Sequence, residues 1–434
     1  MGIGSVLVGF VSMMGLLLLS FPIAVIMVVL GVIGGVMLYG WPLLNSMGPV
    51  IWGVQNENLL TAIPLFILLG ELLLRSGIAD KMYSALALWL GRLPGGLLHT
   101  NIGCCALFAA TSGSSVATAA TVGTVALPAL RSRGYGAAQS LGSLAAGGTL
   151  GILIPPSVNL LIYGSLANES IGQLFIAGIV PGVTLMLAFM AFIAVDSLIR
   201  GNGATQERWV PLSERISALK HLIPPAIIFG VVMGSIYLGI ATPTESAALG
   251  VVVALGFAWR EKKLTFEFLD HCFRQTAKTT GMILLIITAA FMLNLTLALG
   301  GVAQAMTEWV SSFGLSSTGL LLVLIVFYLF LGMFMDVLSM QVLTIPVALP
   351  IVTAVGVDPI WFGIFIVLMC ELGMITPPVG MNLYVVQGVR KDGGPFRDVV
   401  YGAAPYALIM ILFTMLLIAF PGIALWLPTS MLGY

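Results

Sequence analysis

Charge is scarce in this chain of 434 residues: Asp, Glu, Lys and Arg together make up 8% of it. Soluble domains carry about 25%, so the sequence lacks the polar surface that would hold a globule of this size in water. Histidine is almost missing, with three residues, and the four cysteines (Cys104, Cys105, Cys272, Cys370) follow no metal-ligand spacing. Two of them are adjacent inside an apolar run, which is not the pattern of a disulfide framework. The sequence also has no His-Glu-x-x-His zinc motif, no Walker phosphate loop and no Gly-x-Ser-x-Gly elbow. The nearest approach to an exposed nucleophile, Gly113-Ser114-Ser115-Val116-Ala117, has no histidine mapped to its depth. These absences argue against hydrolase, metalloenzyme and ATPase chemistry. Basic and acidic residues number 17 each, so no net charge draws the chain to nucleic acid.

What the chain has instead is apolar sequence, 59% of all residues. Residues 4–20, 22–39, 222–240, 280–299 and 402–420 each run about 17 residues or more with almost no charge, near the length that crosses a ~30 Å hydrocarbon core. Gly (51) and Pro (22) are frequent, as expected where helices pack closely or break. Met1 to Ser20 lacks the basic start of a signal peptide, and the apolar pattern resumes at Pro22, so this segment reads as the first spanning helix. The class that follows is an all-α polytopic membrane protein.

The basic residues orient it, because short cytoplasmic loops collect Lys and Arg. The longest polar stretches, 200–220 (Arg200, Arg208, Arg215, Lys220) and 260–278 (Arg260, Lys262, Lys263, Arg274, Lys278), are separated by two spanning runs, so both fit the cytoplasmic side. Extending that assignment in both directions puts every Lys and Arg inside. The outside segments then carry Glu57, Glu169, Glu308 and Asp358, and both termini lie outside, in the periplasm of an inner-membrane protein. The histidines (His99, His221, His271) map near the cytoplasmic boundary, where a solvated role is expected.

The chain also repeats itself. Pro128 through Gly134 matches Pro350 through Gly356, an offset of 350 − 128 = 222 residues. The same offset carries Leu150-Gly151 onto Leu372-Gly373 and Pro155-Pro156 onto Pro377-Pro378. Within a couple of residues it carries Gly77–Met82 onto Gly301–Met306, and Pro22 falls near Pro243. Residues 1–199 form the first repeat, with a hairpin at about 93–131 and a broken helix at about 138–168. A cytoplasmic loop at 200–221 leads to the second repeat, 222–434, with its hairpin at about 316–355 and broken helix at about 360–388. Five full crossings and one re-entrant hairpin per half give about ten crossings and two hairpins. Five is odd, so the second repeat is inverted, which is the sequence mark of a secondary transporter with its site at the repeat interface.

Four breaks carry the chemistry. The hairpins turn at Thr111–Ser115 and at Gly332–Asp336; the broken helices run through Gly147–Pro156 and Glu371–Pro378. Paired prolines remove two amide donors and leave upstream carbonyls without partners. A dehydrated Na⁺, which favours oxygen ligands, suits such carbonyls; the alternative is a kink that only shapes packing. No Lys or Arg maps to mid-membrane, so an anionic cargo would be held by half-helix N-termini and by Ser and Asn donors. Ser114, Ser157, Asn159 and Asn382 are the candidates. Asp336, at the second tip, is a possible ion or proton carboxylate, because a buried carboxylate is functional by default. Glu71, Glu245 and Glu371 are equally readable as paired structural groups at helix ends.

The run Ala110–Pro128 (ATSGSSVATAATVGTVALP), followed by Gly148–Ser157 (GTLGILIPPS), Thr242-Pro243-Thr244-Glu245 and Gly373–Pro378 (GMITPP), resembles the large membrane subunit of tripartite ATP-independent periplasmic (TRAP) transporters, the DctM type, over essentially the whole chain. The resemblance implies an elevator-type carrier driven by Na⁺, with no cofactor beyond that coupling ion. It implies two partners, a small four-helix membrane subunit and a soluble periplasmic substrate-binding protein, and a small organic anion such as a C4-dicarboxylate or sialic acid as cargo. It also implies two Na⁺ sites, the first from Ser112, Ser115, Gly151 and Ile154 and the second from Gly332, Gly373, Thr376 and Val379. The first apolar run matches the large subunit's own first helix, so the small partner is expected as a separate chain. A stand-alone ion-coupled carboxylate symporter is the alternative, and a passive channel is a third reading.

Overall fold

Inside a bilayer each backbone amide needs an internal partner, and apolar runs meet that need by coiling into helices. The computed structural model describes residues 3–199 and 210–432, and among these residues there is no strand. The polar-stretch residues Arg200 and Arg208, and the chain ends Met1 and Tyr434, lie outside the described residues.

The first part of the chain forms α1 (Ile3–Leu18), α2 (Ile23–Tyr39), α3 (Pro42–Gln55), α4 (Ala62–Arg75) and α5 (Ile78–Leu90). Then come α6 (Leu97–Ser112), α7 (Ser115–Ser132), α8 (Ala137–Gly148), α9 (Val158–Ala167) and the long α10 (Ile171–Ile199). After the undescribed segment follow α11 (Leu212–Ala218), α12 (Ile223–Tyr237), α13 (Pro243–Arg260), α14 (Phe266–Leu299) and α15 (Val302–Ser312). The last six are α16 (Ser317–Gly332), α17 (Val337–Ala354), α18 (Pro359–Met374), α19 (Met381–Val389), α20 (Arg397–Ala419) and α21 (Gly422–Leu432).

Among the described residues, six helical stretches are long and apolar enough to cross a membrane by themselves: Asn58–Arg75, α10, Leu212–Tyr237, α14, α17 and α20. The pair α15 and α16, bent by 116°, makes a seventh if it acts as one span. The apolar runs expected to span at 4–20 and 22–39 fold as α1 and α2, of 16 and 17 residues. At 1.5 Å per residue these reach roughly 25 Å, short of a full ~30 Å core unless the membrane thins around them.

Helix bounds recur at the spacing seen in the sequence. Both α7 and α17 start and end 222 residues apart, at Ser115 and Val337 and at Ser132 and Ala354. The starts of α8 and α18, Ala137 and Pro359, stand at the same spacing, and the peptide bonds Pro155–Pro156 and Pro377–Pro378 are both cis.

Burial ranks the helices. Every residue of α18 from Ile360 to Met374 is buried, and α6 is buried along its length except at Leu107. A helix apolar on all sides is stable only where neighbours enclose it. The tightest crossing is that of α8 on α20, where a Cβ on Gly142 would lie 2.1 Å from the Gly402 carbonyl oxygen. A Cβ on Gly402 would in turn lie 1.9 Å from the Ala138 carbonyl oxygen, so only glycine lets these backbones meet. On the periphery, Leu187, Val195, Val252, Trp259 and Phe266 are exposed, as expected of surfaces solvated by lipid.

Candidate functional site

The first hairpin turns where Gly113 adopts φ +60° and ends α6. Ser114 then caps α7, its hydroxyl oxygen accepting from the Ala117 amide at 3.4 Å. The expected break at Thr111–Ser115 is therefore the two-residue gap Gly113-Ser114. The first broken helix stops as α8 at Gly148, passes through a tight turn at Thr149–Gly151, and restarts as α9 under the cap Ser157, which accepts from the Leu160 amide at 3.2 Å.

Hairpin tip and break press together. A Cβ on Gly151 would lie 2.7 Å from both N and Cα of Ser115, and one on Gly113 would lie 2.9 Å from the Pro156 carbonyl oxygen. Within the first expected quartet, Ser115 and Gly151 are thus in direct backbone contact. Ser112 shares a hydrogen bond with Thr118 (3.1 Å), and Ile154 packs on α10, its Cγ1 lying 2.8 Å from where a Gly182 Cβ would stand.

The second pair is built alike. α16 ends at Gly332, and Gly332 and Gly373 face each other so closely that a Cβ on either would lie 2.5 or 2.6 Å from the other's Cα. The Thr376 amide donates to the Gly373 carbonyl (3.1 Å), and the Val379 amide donates to the Met333 carbonyl (3.2 Å), tying break to tip. The Thr376 hydroxyl donates to the Leu372 carbonyl at 2.6 Å, which leaves its lone pairs free for another partner. Gly332, Gly373 and Thr376 of the second quartet are linked directly, and Val379 reaches the tip through Met333, the residue after Gly332. The two breaks differ in exposure: Pro155 through Asn159 are buried, whereas Pro377, Pro378 and Val379 are exposed.

Asp336 has a definite structural task. It caps α17, Oδ2 accepting from the Leu338 and Ser339 amides at 3.1 and 3.2 Å while the Ser339 hydroxyl donates to Oδ1. Ser114 and Ser157 likewise serve as caps. Asn159 and Asn382 do not: Asn382 is fully buried with neither amide atom hydrogen-bonded, and Asn159 has an unpartnered Oδ1. Although Asn382 lies on α19, its Nδ2 stands 3.0 Å from where a Cβ on Gly148 would be, beside the first hairpin. The N-terminus of α19, unlike those of α7, α9 and α17, has no side-chain cap.

Some expectations change. Glu245 and Glu71 are structural, the first closing a capping box with Thr242 and the second paired with Arg75 at 3.2 Å. Glu371 is not cation-paired; it is fully buried and accepts a hydrogen bond from the Ser115 hydroxyl across the two halves of the chain. Its sequence signal was its isolation, since no other charged residue lies between Asp358 and Arg390. His99 is 2% exposed rather than solvated, and its Nε2 lies 2.7 Å from the Pro94 carbonyl. Helix packing holds it inside, because it opens α6 on the buried side of the hairpin. Gln341 was not singled out by the sequence, yet it is fully buried with both amide atoms unpartnered; nothing in the run around it marks it.

Among the described residues no three His, Cys, Asp or Glu side chains converge as a metal cluster. What the paired tips and breaks carry is backbone and hydroxyl groups at glycine-lined contacts, with no thiolate or imidazole among the eight residues of the two expected quartets.

The DctM component model of tripartite ATP-independent periplasmic transporters matches residues 10–423. The chain is 36% identical over 397 residues to the C4-dicarboxylate TRAP transporter large permease protein DctM of Rhodobacter capsulatus, covering 88% of this chain and 89% of that one. It is 32% identical to the sialic acid TRAP transporter large permease protein SiaM of Vibrio cholerae, covering 89% of each. In fold it is similar to the YdaH transporter of Alcanivorax borkumensis, with a TM-score of 0.66 at 13% identity over 94% of this chain and 98% of that one. This chain belongs to the DctM family of TRAP transporter large permeases.

Proposed function

We propose that this chain is the inner-membrane carrier of a Na⁺-driven uptake system for a small organic anion. It works as two inverted repeats of about five crossings and one hairpin each, moving as an elevator. The observation that carries this reading is the pair of backbone contacts between hairpin tip and helix break, Ser115 on Gly151 and Gly332 on Gly373, with the two break glycines 222 residues apart. Such contacts place interrupted backbone from two elements side by side, and carbonyl and hydroxyl oxygens at such interruptions are what a desolvated Na⁺ requires.

On this reading Ser112, Ser115, Gly151 and Ile154 line one ion site, and Gly332, Gly373, Thr376 and Val379 the other. The cargo carboxylate is held near the uncapped N-terminus of α19 by Asn382, with Asn159 as a second donor, because both amide atoms of Asn382 and the Oδ1 of Asn159 lack partners inside the protein. Leaving a buried amide unpaired costs about 1–3 kcal/mol per group, and a polar cargo offsets that penalty. Ser114 and Ser157, engaged as caps, shape the half-helices that frame the site.

The family implies a small four-helix membrane subunit and a periplasmic binding protein that delivers cargo. The named relatives carry a C4-dicarboxylate and sialic acid, so selection among organic acids rests largely with that binding protein. The test is uptake into proteoliposomes holding the carrier with its small subunit. Uptake should need both a Na⁺ gradient and loaded binding protein; equal rates with choline in place of Na⁺ would refute the coupling, and uptake without binding protein would favour a stand-alone symporter.

A further inference from the structure

Glu371 belongs to neither ion quartet, yet it is the most confined charged residue in the described chain. It is fully buried, one carboxylate oxygen accepts from the Ser115 hydroxyl, and the backbone amide of Ile152, in the first break, also faces the carboxylate. The two residues are 256 positions apart, one at the start of α7 and the other in the last turn of α18. Ser115 is in turn pressed against Gly151.

A serine hydroxyl has one proton and two lone pairs, and its direction is set by whatever accepts the proton. A hydroxyl that rotates freely is a poor ligand for a cation, because each turn can aim the proton at the ion. Acceptors behind a ligand fix its orientation and are worth 10- to 100-fold in affinity at metal sites generally. We propose that Glu371 is a positioning residue for the first ion site: it accepts the hydrogen bond of the Ser115 hydroxyl and so holds the lone pairs of that oxygen toward the Gly151 contact. This rests on the Na⁺ reading above. Because Glu371 stands two residues before Gly373, the same bond ties the first ion site to the helix that carries the second.

The test is Na⁺ titration of the full chain in lipid nanodiscs, with K⁺ keeping ionic strength constant, read as the thermal unfolding midpoint by tryptophan fluorescence. Wild type should show a saturable Na⁺-specific rise. E371M, of similar length but without an acceptor, should raise the half-saturating Na⁺ concentration about tenfold, or about 1.4 kcal/mol. E371Q, whose amide oxygen accepts the same proton, should recover to within about threefold. S115A should match E371M, and adding E371M to S115A should change nothing further. A purely structural bond would lower the midpoint equally in Na⁺ and K⁺ without moving the half-saturation. A missing Na⁺ response in wild type overturns the ion reading itself. A wild-type response left unmoved by E371M overturns only the role of Glu371, as does an E371Q defect as large as that of S115A. If E371M does not fold, the S115A and E371Q titrations decide, and an unmoved S115A rejects the proposal.

Discussion

Adding one methyl group at Gly332 tests whether the second tip and break must touch. A Cβ there would stand 2.5 Å from the Gly373 Cα, about 0.9 Å inside ordinary van der Waals contact. The obstacle is backbone, so no side-chain rotation relieves it, and tip and break must separate by roughly that amount. Overpacking of this kind costs about 1–3 kcal/mol of stability, which a helical bundle survives. On the proposed ion reading the site is more sensitive, because a misplacement near 1 Å at an active site costs about 100-fold. A site that wild type fills at a hundred times its Kd stabilises the fold by ~2.7 kcal/mol, and a 100-fold weaker one by only ~0.4 kcal/mol. Na⁺-dependent thermal stabilisation of G332A should therefore fall to a small fraction of wild type, while the unfolding midpoint in K⁺ drops only modestly. G388A is the control, since its added Cβ meets nothing within 4 Å on α19; its Na⁺ response should equal wild type. A G332A protein that is monodisperse and keeps the full Na⁺ response would refute the reasoning, because the contact would then be incidental packing.

Two further perturbations address the ligands. Thr376→Ala removes an oxygen whose proton is already given to the Leu372 carbonyl; the Na⁺ concentration for half-maximal uptake should rise about tenfold, with Thr376→Ser restoring it, and an unchanged Na⁺ dependence would remove this side chain from the site. Asn382→Leu replaces a buried, unpartnered amide with an apolar group of similar size, so thermal stability should rise by about 1–3 kcal/mol while uptake falls at least about tenfold. A variant that is both less stable and fully active would show that Asn382 serves packing.

Much of the backbone plan was legible. Apolar run length, Gly-Pro punctuation and the 222-residue offset located four helix interruptions to within about four residues, because the physics that ends a helix is local: a glycine at positive φ for α6, consecutive prolines at 155–156 and 377–378. The number of crossings was less legible, since a 16-residue apolar helix such as α1 is marginal by length alone. Asp336 shows a second limit. From the sequence a carboxylate at a hairpin tip looks like an ion group, and only the coordinates show three donors converging on it as a helix cap.

The bridge between Ser115 and Glu371 was illegible for a different reason. Repeats report what two halves share, and this bond has no counterpart: at the 222 offset Ser115 faces Val337, and Glu371 faces Thr149. The same holds for three of the buried polar groups that lack partners. Asn382 corresponds to Leu160, Gln341 to Ala119 and Asn159 to Met381. The break glycines and paired prolines, which set the path of the backbone, recur between the halves, while Asn382, Gln341 and Asn159 sit where the halves diverge. That division fits a carrier whose scaffold is duplicated but whose cargo is not symmetric. A two-fold scaffold makes two equivalent interruptions, and a single asymmetric anion needs different donors on its two sides. If so, exchanging the divergent residues for their counterparts, Asn382→Leu with Asn159→Met, should leave the Na⁺ response of the paired breaks in place and remove the cargo response alone.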